Sequence, residues 1–448
     1  MTMKKTPADR LQGKGQKLWK KAKTLIPGGN QLLSKRAEMF LPDNWPAYYS
    51  KASGPYVWDL DGRRYMDVGS MAVGSCLLGY ADKDVNKAVK EAVDRGSMST
   101  LNAPEEVELA ELLCKIHPWA DMVRYARGGG ESMAIAERIA RAYTGRDIIL
   151  FCGYHGWSDW YLAANLSSDK ALDGHLLPGL EPRGVPRGLA GTIVPFHYNN
   201  IDELEALAKK YGKKVAAIVM EPVRSEPPEN NFLKKVRRMA DRLGAVLVFD
   251  EISIGWKLTY GGAHLLYGVN PDIAVFSKAM SNGFPMAAVI GRREVMQAAQ
   301  SSFISSTYWT DRTGPSAALA TLKKMKRVNV TQHISRIARI TRAGWVRLAK
   351  KHGLSIAIGW SLPYSSFTFT DQKDTLALKT LFNQEMLRRG FLATTAFTPS
   401  ATHTPQHIRQ YLKAVDEVFG ILADALKKGD VKKRLQGPPV HSHFQRLN

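Results

Sequence analysis

The chain of 448 residues is 44% hydrophobic and 23% charged, which is the balance of a globular protein long enough for two or three domains. Its 63 Lys and Arg against 41 Asp and Glu give a formal net charge of +22. There is no run of 18 apolar residues and no apolar N-terminal segment, and Cys76, Cys114 and Cys152 are widely spaced. We therefore expect a cytoplasmic protein without a membrane span, secretory signal, zinc site or disulfide framework.

The predicted elements begin with a basic amphipathic helix from Leu11 to Ile26, which ends at Pro27-Gly28-Gly29. Residues 30 to 68 are expected to form extended segments and a hairpin around Leu60-Asp61-Gly62-Arg63. Helix and strand patterns then alternate to about residue 320. This alternation implies a parallel sheet with crossover helices.

The last part of the chain is predicted to be richer in helix. One or two long basic helices are expected between Ser316 and His352, and further helices at Leu376–Arg389 and Pro405–Leu422 among short strands. The tail from Lys427 contains two prolines and scattered charge, so we expect it to be loosely ordered.

Two apolar runs in the middle of the chain each end in a residue that can do chemistry. One run, 245–251, carries Asp250 near its end, and the other, 271–278, ends in Lys278. Both predict buried parallel strands because they are continuously apolar, and ligands of open α/β sheets lie beyond the carboxyl ends of the strands. Pyridoxal phosphate requires this pair, a lysine Schiff base and an acid at its pyridinium nitrogen. A simple strand-end ion pair is the structural alternative.

Three consecutive glycines precede a predicted helix that runs to Tyr143. They lie in the segment Ala126-Arg127-Gly128-Gly129-Gly130-Glu131-Ser132. The N–H groups of a helix N-terminus form an anion site, and glycines allow the anion to approach the backbone closely. The run therefore predicts a phosphate site, with an ordinary loop as the alternative.

Several motifs follow one another around these residues. They are Val57-Trp58-Asp59-Leu60-Asp61-Gly62, Tyr154-His155-Gly156, Met220-Glu221-Pro222-Val223, Phe249-Asp250-Glu251-Ile252 with Gly255, and Ser277-Lys278. In this order they resemble the class III (fold type I) pyridoxal-phosphate aminotransferases and, within them, glutamate-1-semialdehyde 2,1-aminomutase. The likeness covers roughly residues 15 to 425; each motif is weak alone, and the ordered set is specific.

The resemblance implies an α/β protein of the fold type I PLP-dependent transferases. Its large domain would have a mixed, mostly parallel seven-stranded sheet flanked by helices, and a smaller α+β domain would come from both termini. We therefore predict an N-terminal helix and hairpin segment at 1–70, a PLP-binding domain at 71–320, and a C-terminal α+β domain with a basic tail at 321–448.

The resemblance also implies roles for individual residues. Lys278 would hold the cofactor and then move a proton, and Asp250 would keep the pyridine nitrogen protonated. Tyr154 would stack on the pyridine ring. The phosphate loop would hold the phosphate, although this chain has three glycines where the family has Ser-Gly-Thr. The other cofactor-binding residues implied in this way are Gly129, Gly130, Glu221 and Ser253.

In this family a threonine of the neighbouring subunit reaches the cofactor phosphate. The resemblance therefore implies a homodimer with shared active sites. The spacing to Pro315 fits Thr310, whereas the local sequence, a small residue followed by threonine and an aromatic, fits Thr307. We favour Thr307.

Substrate recognition is where the sequence departs from the family. Lys35, followed by Arg36, stands where the aminomutases have an arginine, Met71 replaces their tryptophan, and Arg224 follows Glu-Pro-Val where small residues are usual. A guanidinium binds a carboxylate or phosphate in a bidentate manner. Arg224, with Lys35 or Arg36, is therefore a candidate anion clamp, and an ordinary surface arginine is the alternative.

The excess of basic residues has two interpretations, solvated helix faces or attraction of an anionic substrate. Nucleic acid is not expected, because the basic clusters are not interleaved with aromatic residues and no nucleic-acid-binding signature occurs. The main prediction is a PLP-dependent aminotransferase that acts on an amino acid donor and a small, anionic aldehyde or ketone acceptor. The alternatives are intramolecular amino transfer of the aminomutase type and a non-catalytic binding protein on the same fold.

Overall fold

The computed structural model describes residues 13–175, 178–370, 374–442 and 447. They divide into two compact units. Unit 2 is Lys83–Thr331, and unit 1 combines the described residues up to Asp82 with those from Gln332 onwards. Both unit boundaries fall somewhat later in the chain than the predicted domain limits at residues 70 and 320.

The N-terminal part of unit 1 contains a helix, a β-meander and a short turn of helix. The elements are α1 (Lys14–Leu25), β1 (Tyr49–Ser53), β2 (Tyr56–Asp59), β3 (Arg64–Asp67) and α2 (Met71–Gly74). The predicted hairpin is confirmed: β2 and β3 pair antiparallel, and the Asp59 carboxylate closes the turn by accepting from Asp61 N and Arg63 N, both at 2.9 Å. Of the first predicted helix, Leu11 and Gln12 lie outside the described residues.

Unit 2 alternates strands with helices. In chain order its elements are α3 (Lys83–Asp94), α4 (Pro104–Ile116), β4 (Met122–Ala126), α5 (Gly129–Thr144), β5 (Ile148–Cys152), α6 (Asp159–Leu162), α7 (Ala164–Ser167), β6 (Ile193–Pro195), α8 (Ile201–Tyr211), β7 (Val215–Met220), α9 (Phe232–Leu243), β8 (Val246–Asp250), β9 (Ile273–Phe276), β10 (Ala287–Gly291), α10 (Arg293–Met296) and α11 (Thr313–Arg327).

The strands of unit 2 form one seven-stranded sheet in the order β4-β10-β9-β8-β7-β5-β6. Only β10 runs against its neighbours β4 and β9, and the other pairs in this sheet are parallel. Every residue of β7, β8 and β9 is buried, as expected for a sheet covered on both faces. The predicted mixed, mostly parallel seven-stranded sheet is therefore confirmed.

The C-terminal part of unit 1 adds helices and short strands. Its elements are α12 (Val330–His352), which spans the unit boundary, β11 (Ile356–Ile358), β12 (Ser365–Phe369), α13 (Thr375–Arg388), β13 (Phe391–Leu392), β14 (Ala396–Phe397) and α14 (Pro405–Lys428). Strand β13 joins β3 in parallel, so the two ends of the chain share one sheet. A core around Trp345, Phe367 and Phe419 holds this part together.

The expectation of a loosely ordered tail is wrong for the residues up to Ser442. Helix α14 continues to Lys428, and Val431 and Val440 are 8% and 3% exposed. Val440 N donates to Thr380 Oγ1 at 3.0 Å, and His441 N donates to Glu38 O at 2.9 Å. Two isolated valines therefore anchor a segment whose composition alone indicated disorder.

In the described parts of the chain, no helix combines the length and the apolar character that a membrane crossing requires.

Candidate active site

Lys278 and Asp250 lie at the same edge of the unit 2 sheet. Asp250 is the last residue of β8, and Lys278 follows the end of the neighbouring parallel strand β9 by two residues. The Lys278 backbone is left-handed, with φ of 47°, an uncommon conformation for a side-chain-bearing residue and one that clusters at functional sites. Its Nζ donates to Ser253 Oγ at 2.7 Å. Three residues predicted to bind the cofactor are thus brought together.

The Lys278 amine lies in a buried position. Burial lowers the pKa of Lys278, while the negative charges of Asp250 and Glu221 oppose that shift. A lower pKa leaves more of the amine in its neutral form near neutral pH, and the neutral amine is the nucleophile and base.

Asp250 is 4% exposed and pairs with a fully enclosed histidine. Its Oδ2 lies 2.8 Å from His155 Nδ1, while His155 Nε2 lies 3.1 Å from Cys152 O. Both ring nitrogens of His155 thus face oxygen atoms, which fixes the orientation of the imidazole against Asp250. Asp250 Oδ1 also accepts from Ile252 N at 3.0 Å. The Asp250 carboxyl group is therefore fixed in direction by two hydrogen bonds, as a partner of a ring nitrogen needs to be.

The glycine run begins α5, as predicted. The first hydrogen bond of this helix is from Ser132 N to Gly128 O, so the N–H groups of Gly129 and Gly130 are among those a helix leaves for a ligand. The Glu131 carboxylate accepts instead from Gly128 N at 2.9 Å and Arg127 N at 3.1 Å. The anion site at this terminus is therefore limited to the N–H groups beyond Gly128.

Close packing explains the glycines of this loop. A Cβ at Gly129 would lie 3.0 Å from Ile252 Cδ1, and a Cβ at Gly130 would lie 3.0 Å from Trp157 Cδ1 and Nε1. A threonine could not stand at position 130 unless the Trp157 indole moved. The departure from Ser-Gly-Thr is thus matched by a bulky neighbour in the chain segment that follows Tyr154-His155-Gly156.

Tyr154 and Glu221 lie close to Asp250 and contact each other. Tyr154 is 40% exposed, and its N–H donates to Glu221 Oε2 at 3.3 Å. Burial and the nearby charge of Asp250 raise the pKa of Glu221, which Arg224 partly offsets. The stacking role of Tyr154 remains a prediction.

Arg224 is held within the chain. Its Nε lies 3.4 Å from Glu221 Oε2, and its other nitrogens donate to the carbonyls of Gly174 and His175. An incoming anion would have to compete with Glu221 for this guanidinium. Its role as an anion clamp remains a prediction.

Lys35 and Arg36 belong to unit 1. Lys35 ends a short 3-10 helix and is exposed. The half-buried Arg36 guanidinium covers Gly28, where an added Cβ would be 2.3 Å from Nη2. Their predicted contact with substrate also remains a prediction.

Thr307 and Thr310 are exposed at the two ends of one 3-10 turn. Thr310 Oγ1 donates to Thr307 O at 2.8 Å, so the Thr310 hydroxyl hydrogen is engaged within the turn. Arg127 Nη2 donates to Trp309 O at 3.0 Å, which ties this turn to the phosphate loop. The role of Thr307 toward another subunit remains a prediction.

Comparison with known proteins places this site in a family. The chain matches the model of class-III aminotransferases over residues 41–358, and it belongs to that family of pyridoxal-phosphate-dependent enzymes.

Two relatives match nearly the whole chain. The glutamate-1-semialdehyde 2,1-aminomutase of Heliobacterium modesticaldum is 32% identical over 440 residues, 92% of this chain and 98% of the relative. The 3-aminobutyryl-CoA aminotransferase of Cloacimonas acidaminovorans is 28% identical over 92% of this chain and 100% of its own length.

A solved structure shows the same fold. The PLP internal aldimine form of the FumI protein from Sphingopyxis sp. MTA144 superposes with a TM-score of 0.83 over 96% of this chain and 99% of that chain, at 24% identity. The fold type I class is therefore established.

The residues present fit pyridoxal phosphate. The start of α5 offers N–H groups to an anion, Lys278 offers a buried amine, and Asp250 offers a fixed carboxylate. A Cβ at Gly129 or Gly130 would crowd the cradle. Pyridoxal phosphate supplies an aldehyde for the lysine and a ring that withdraws electrons from the substrate.

Sequence reasoning missed two neighbours of these residues. His155 contacts Asp250 although the two residues are 95 positions apart. The motif Tyr-His-Gly marked His155 in the sequence but did not indicate this partner. Lys257 is fully buried beside Ser253, yet in the sequence it is one lysine among many. Its position between Trp256 and Leu258 is the single signal that could have marked it.

Proposed function

We propose that this protein transfers an amino group from an amino acid to an aldehyde or ketone, with pyridoxal phosphate as its cofactor. The observation that carries the proposal is the convergence, in unit 2, of the Lys278 amine, the Asp250 carboxylate and the α5 N-terminus. Lys278 Nζ is buried, Asp250 is paired with His155, and Gly129 packs on Ile252 two residues beyond Asp250. These are the amine, the acid and the anion site that this chemistry needs.

The residue roles follow from the same contacts. Lys278 binds the cofactor and, once released, moves a proton at the substrate carbon. Asp250, oriented by His155, holds a proton on the ring nitrogen. Tyr154 stacks on the ring, a contact worth about 0.5–1.5 kcal/mol beyond the buried area. Ser253 holds the Lys278 amine at 2.7 Å.

Aminotransfer between two molecules is preferred over the aminomutase reaction. Lys35, Met71 and Arg224 stand where the aminomutase pattern has other residues, and these are its substrate positions. The aminomutase reaction is the second candidate, because two relatives at 32% identity are named glutamate-1-semialdehyde 2,1-aminomutase. Efficient formation of 5-aminolevulinate from glutamate-1-semialdehyde alone would decide for the aminomutase.

We propose further that the acceptor is anionic. Arg224 adjoins Glu221 at the candidate site, and the net charge of +22 attracts anions. One relative is named for a coenzyme A thioester, and coenzyme A carries phosphate groups. The proposed acceptors are therefore carbonyl compounds that carry a carboxylate or phosphate.

The proposed assembly is a homodimer in a reducing cytoplasm. Leu101 and Phe303 of unit 2 are 82% and 88% exposed, and Arg312 N donates to Ser97 O at 3.0 Å, which links the segments near these residues. We propose that these two apolar side chains lie in the contact between subunits. The three cysteines are free thiols, which suits a reducing compartment.

A screen of amino donors tests the proposed function. The purified protein with pyridoxal phosphate is mixed with single amino acids, and the loss of the cofactor's aldehyde absorbance is followed together with 2-oxo acid release. We expect one group of donors to convert the bound cofactor, and a carbonyl acceptor to restore it. No conversion by any amine, with cofactor bound, would argue for the non-catalytic alternative.

A further inference from the structure

Lys257 is a fully buried lysine near the proposed site. None of its surface is exposed, and its Nζ donates to Ser253 O at 2.7 Å. Burying an ammonium in protein costs several kcal/mol unless it is well paired. An apolar side chain of the same length would avoid that cost, so the amine itself needs an explanation.

The surroundings disfavour the charged form of this amine. Burial places the pKa of Lys257 well below its usual value, and the positive charge of Lys278 lowers it further, while Glu251 opposes the shift. The Glu251 carboxylate is already bound by Ala263 N, His264 N and His264 Nδ1, at 2.8–3.0 Å. Lys278 in turn faces Asp250 and Glu221. Lys257 can donate a hydrogen bond to a carbonyl whether or not its amine is protonated.

Ser253 connects the two lysines. Its carbonyl oxygen accepts from Lys257, and its hydroxyl oxygen accepts from Lys278, each at 2.7 Å. The position of the Ser253 main chain therefore sets the direction of the Lys278 amine. We propose that Lys257 is a positioning residue that fixes Ser253 and thereby aims Lys278 at the cofactor. The inference rests on the proposed function and extends it to a residue that touches neither cofactor nor substrate.

A double-mutant cycle tests the proposal. The variants are Lys257→Met, Ser253→Ala and the pair, and Lys379→Met is the matched control because burial also lowers the pKa of Lys379. Two quantities are measured: kcat of the holoenzyme, and the pH midpoint of Lys278 acylation in the cofactor-free protein, followed by mass spectrometry. The second does not depend on catalysis.

We expect Lys257→Met to lower kcat roughly tenfold or more, the scale of a small misplacement of a reacting group, and to shift the pH midpoint of Lys278. In the Ser253→Ala background Lys257 can still reach the carbonyl of residue 253, but the hydroxyl that holds Lys278 is gone, so the same change should add nothing. Lys379→Met should leave both quantities unchanged.

Equal effects of Lys257→Met in both backgrounds, or a lower melting temperature with kcat and the midpoint unchanged, would overturn the proposal. If the methionine variant does not fold, Lys257→Leu, which has no hydrogen-bond donor in its side chain, takes its place with the same expectations. A wild-type protein without transaminase activity would refute the proposed function instead, and the Lys278 midpoint would still test the positioning role.

Discussion

At the scale of single residues, the environments of Lys278 and Asp250 differ in a way that suits their proposed roles. Lys278 is buried. Within the described chain, its amine donates one hydrogen bond, to the Ser253 hydroxyl. Asp250 is enclosed with His155. Burial lowers the pKa of the Lys278 amine, while hydrogen bonds fix the direction of the Asp250 carboxyl group.

Lys278→Ala should retain the fold and lose the covalent attachment of the cofactor. The reason is that β9 ends at Phe276, before the substitution, and that Lys278 is the amine predicted to hold the cofactor. Far-ultraviolet circular dichroism and absorbance after gel filtration check the two parts. Normal transaminase turnover by the variant would contradict the assignment.

Asp250→Asn should reduce kcat about 10²- to 10³-fold, the usual effect of removing one electrostatic partner of the reacting group, with cofactor still bound. His155→Phe should reproduce part of this loss, since Asp250 would lose the ring nitrogen that orients it. Steady-state kinetics on both variants provide the measurement. Near-wild-type turnover of Asp250→Asn would rule out the ring-nitrogen role.

The placement of these two residues could be predicted because a continuous apolar run fixes a buried strand and its end. The contacts that tune them could not. His155 reaches Asp250 across 95 positions, and the complete burial of Lys257 depends on how the loop after β8 packs. Neither fact leaves a local pattern.

At the scale of elements, the start of α5 is the part of the fold that the cofactor depends on most. Its glycines are required by packing against Ile252 and Trp157, and its N–H groups point out of the helix. The hairpin, the helices and the strands of the sheet could be predicted from hydrophobic periodicity and from the turns that Gly and Pro indicate. The order of the tail could not be predicted, because its buried residues Val431 and Val440 are single apolar residues among charged and polar ones.

Gly129→Ala should weaken cofactor binding roughly tenfold. The added Cβ would press on Ile252, and overpacking of this kind costs about 1–3 kcal/mol. Gly188→Ala is the control, since a Cβ there meets open space. Fluorescence titration of the cofactor-free proteins with pyridoxal phosphate gives both dissociation constants. Equal affinities for the two variants would show that the cradle is not at α5.

At the scale of the whole molecule, two proposals rest on the surface. The charge of +22 supports the anionic acceptor, and the exposed apolar groups of unit 2 support the dimer. Each idea has its own test.

Arg224→Gln should raise KM for the acceptor far more than KM for the donor. Loss of a desolvated charged contact costs about 2–5 kcal/mol, and the effect should weaken as salt is added. Arg187→Gln, at an exposed arginine of the same unit, is the control. Small, equal changes in both KM values would make Arg224 a structural partner of Glu221 alone.

Leu101→Glu with Phe303→Glu should convert the proposed dimer to a monomer, because two charges would enter an apolar contact. Leu266→Glu, at a leucine that is 55% exposed in the same unit, should leave the dimer intact. Sedimentation velocity distinguishes the two states. A wild-type protein that is monomeric at micromolar concentration would contradict the shared site and the role of Thr307.

The measurement that tests the central claim most directly is reductive trapping of the bound cofactor. The purified protein is treated with borohydride, digested and sequenced by mass spectrometry. We predict loss of the visible absorbance and a reduced pyridoxyl group on the peptide that contains Lys278. A pyridoxyl group on Lys257 or on any other lysine, or an unmodified Lys278 in a protein that binds the cofactor, would contradict the account.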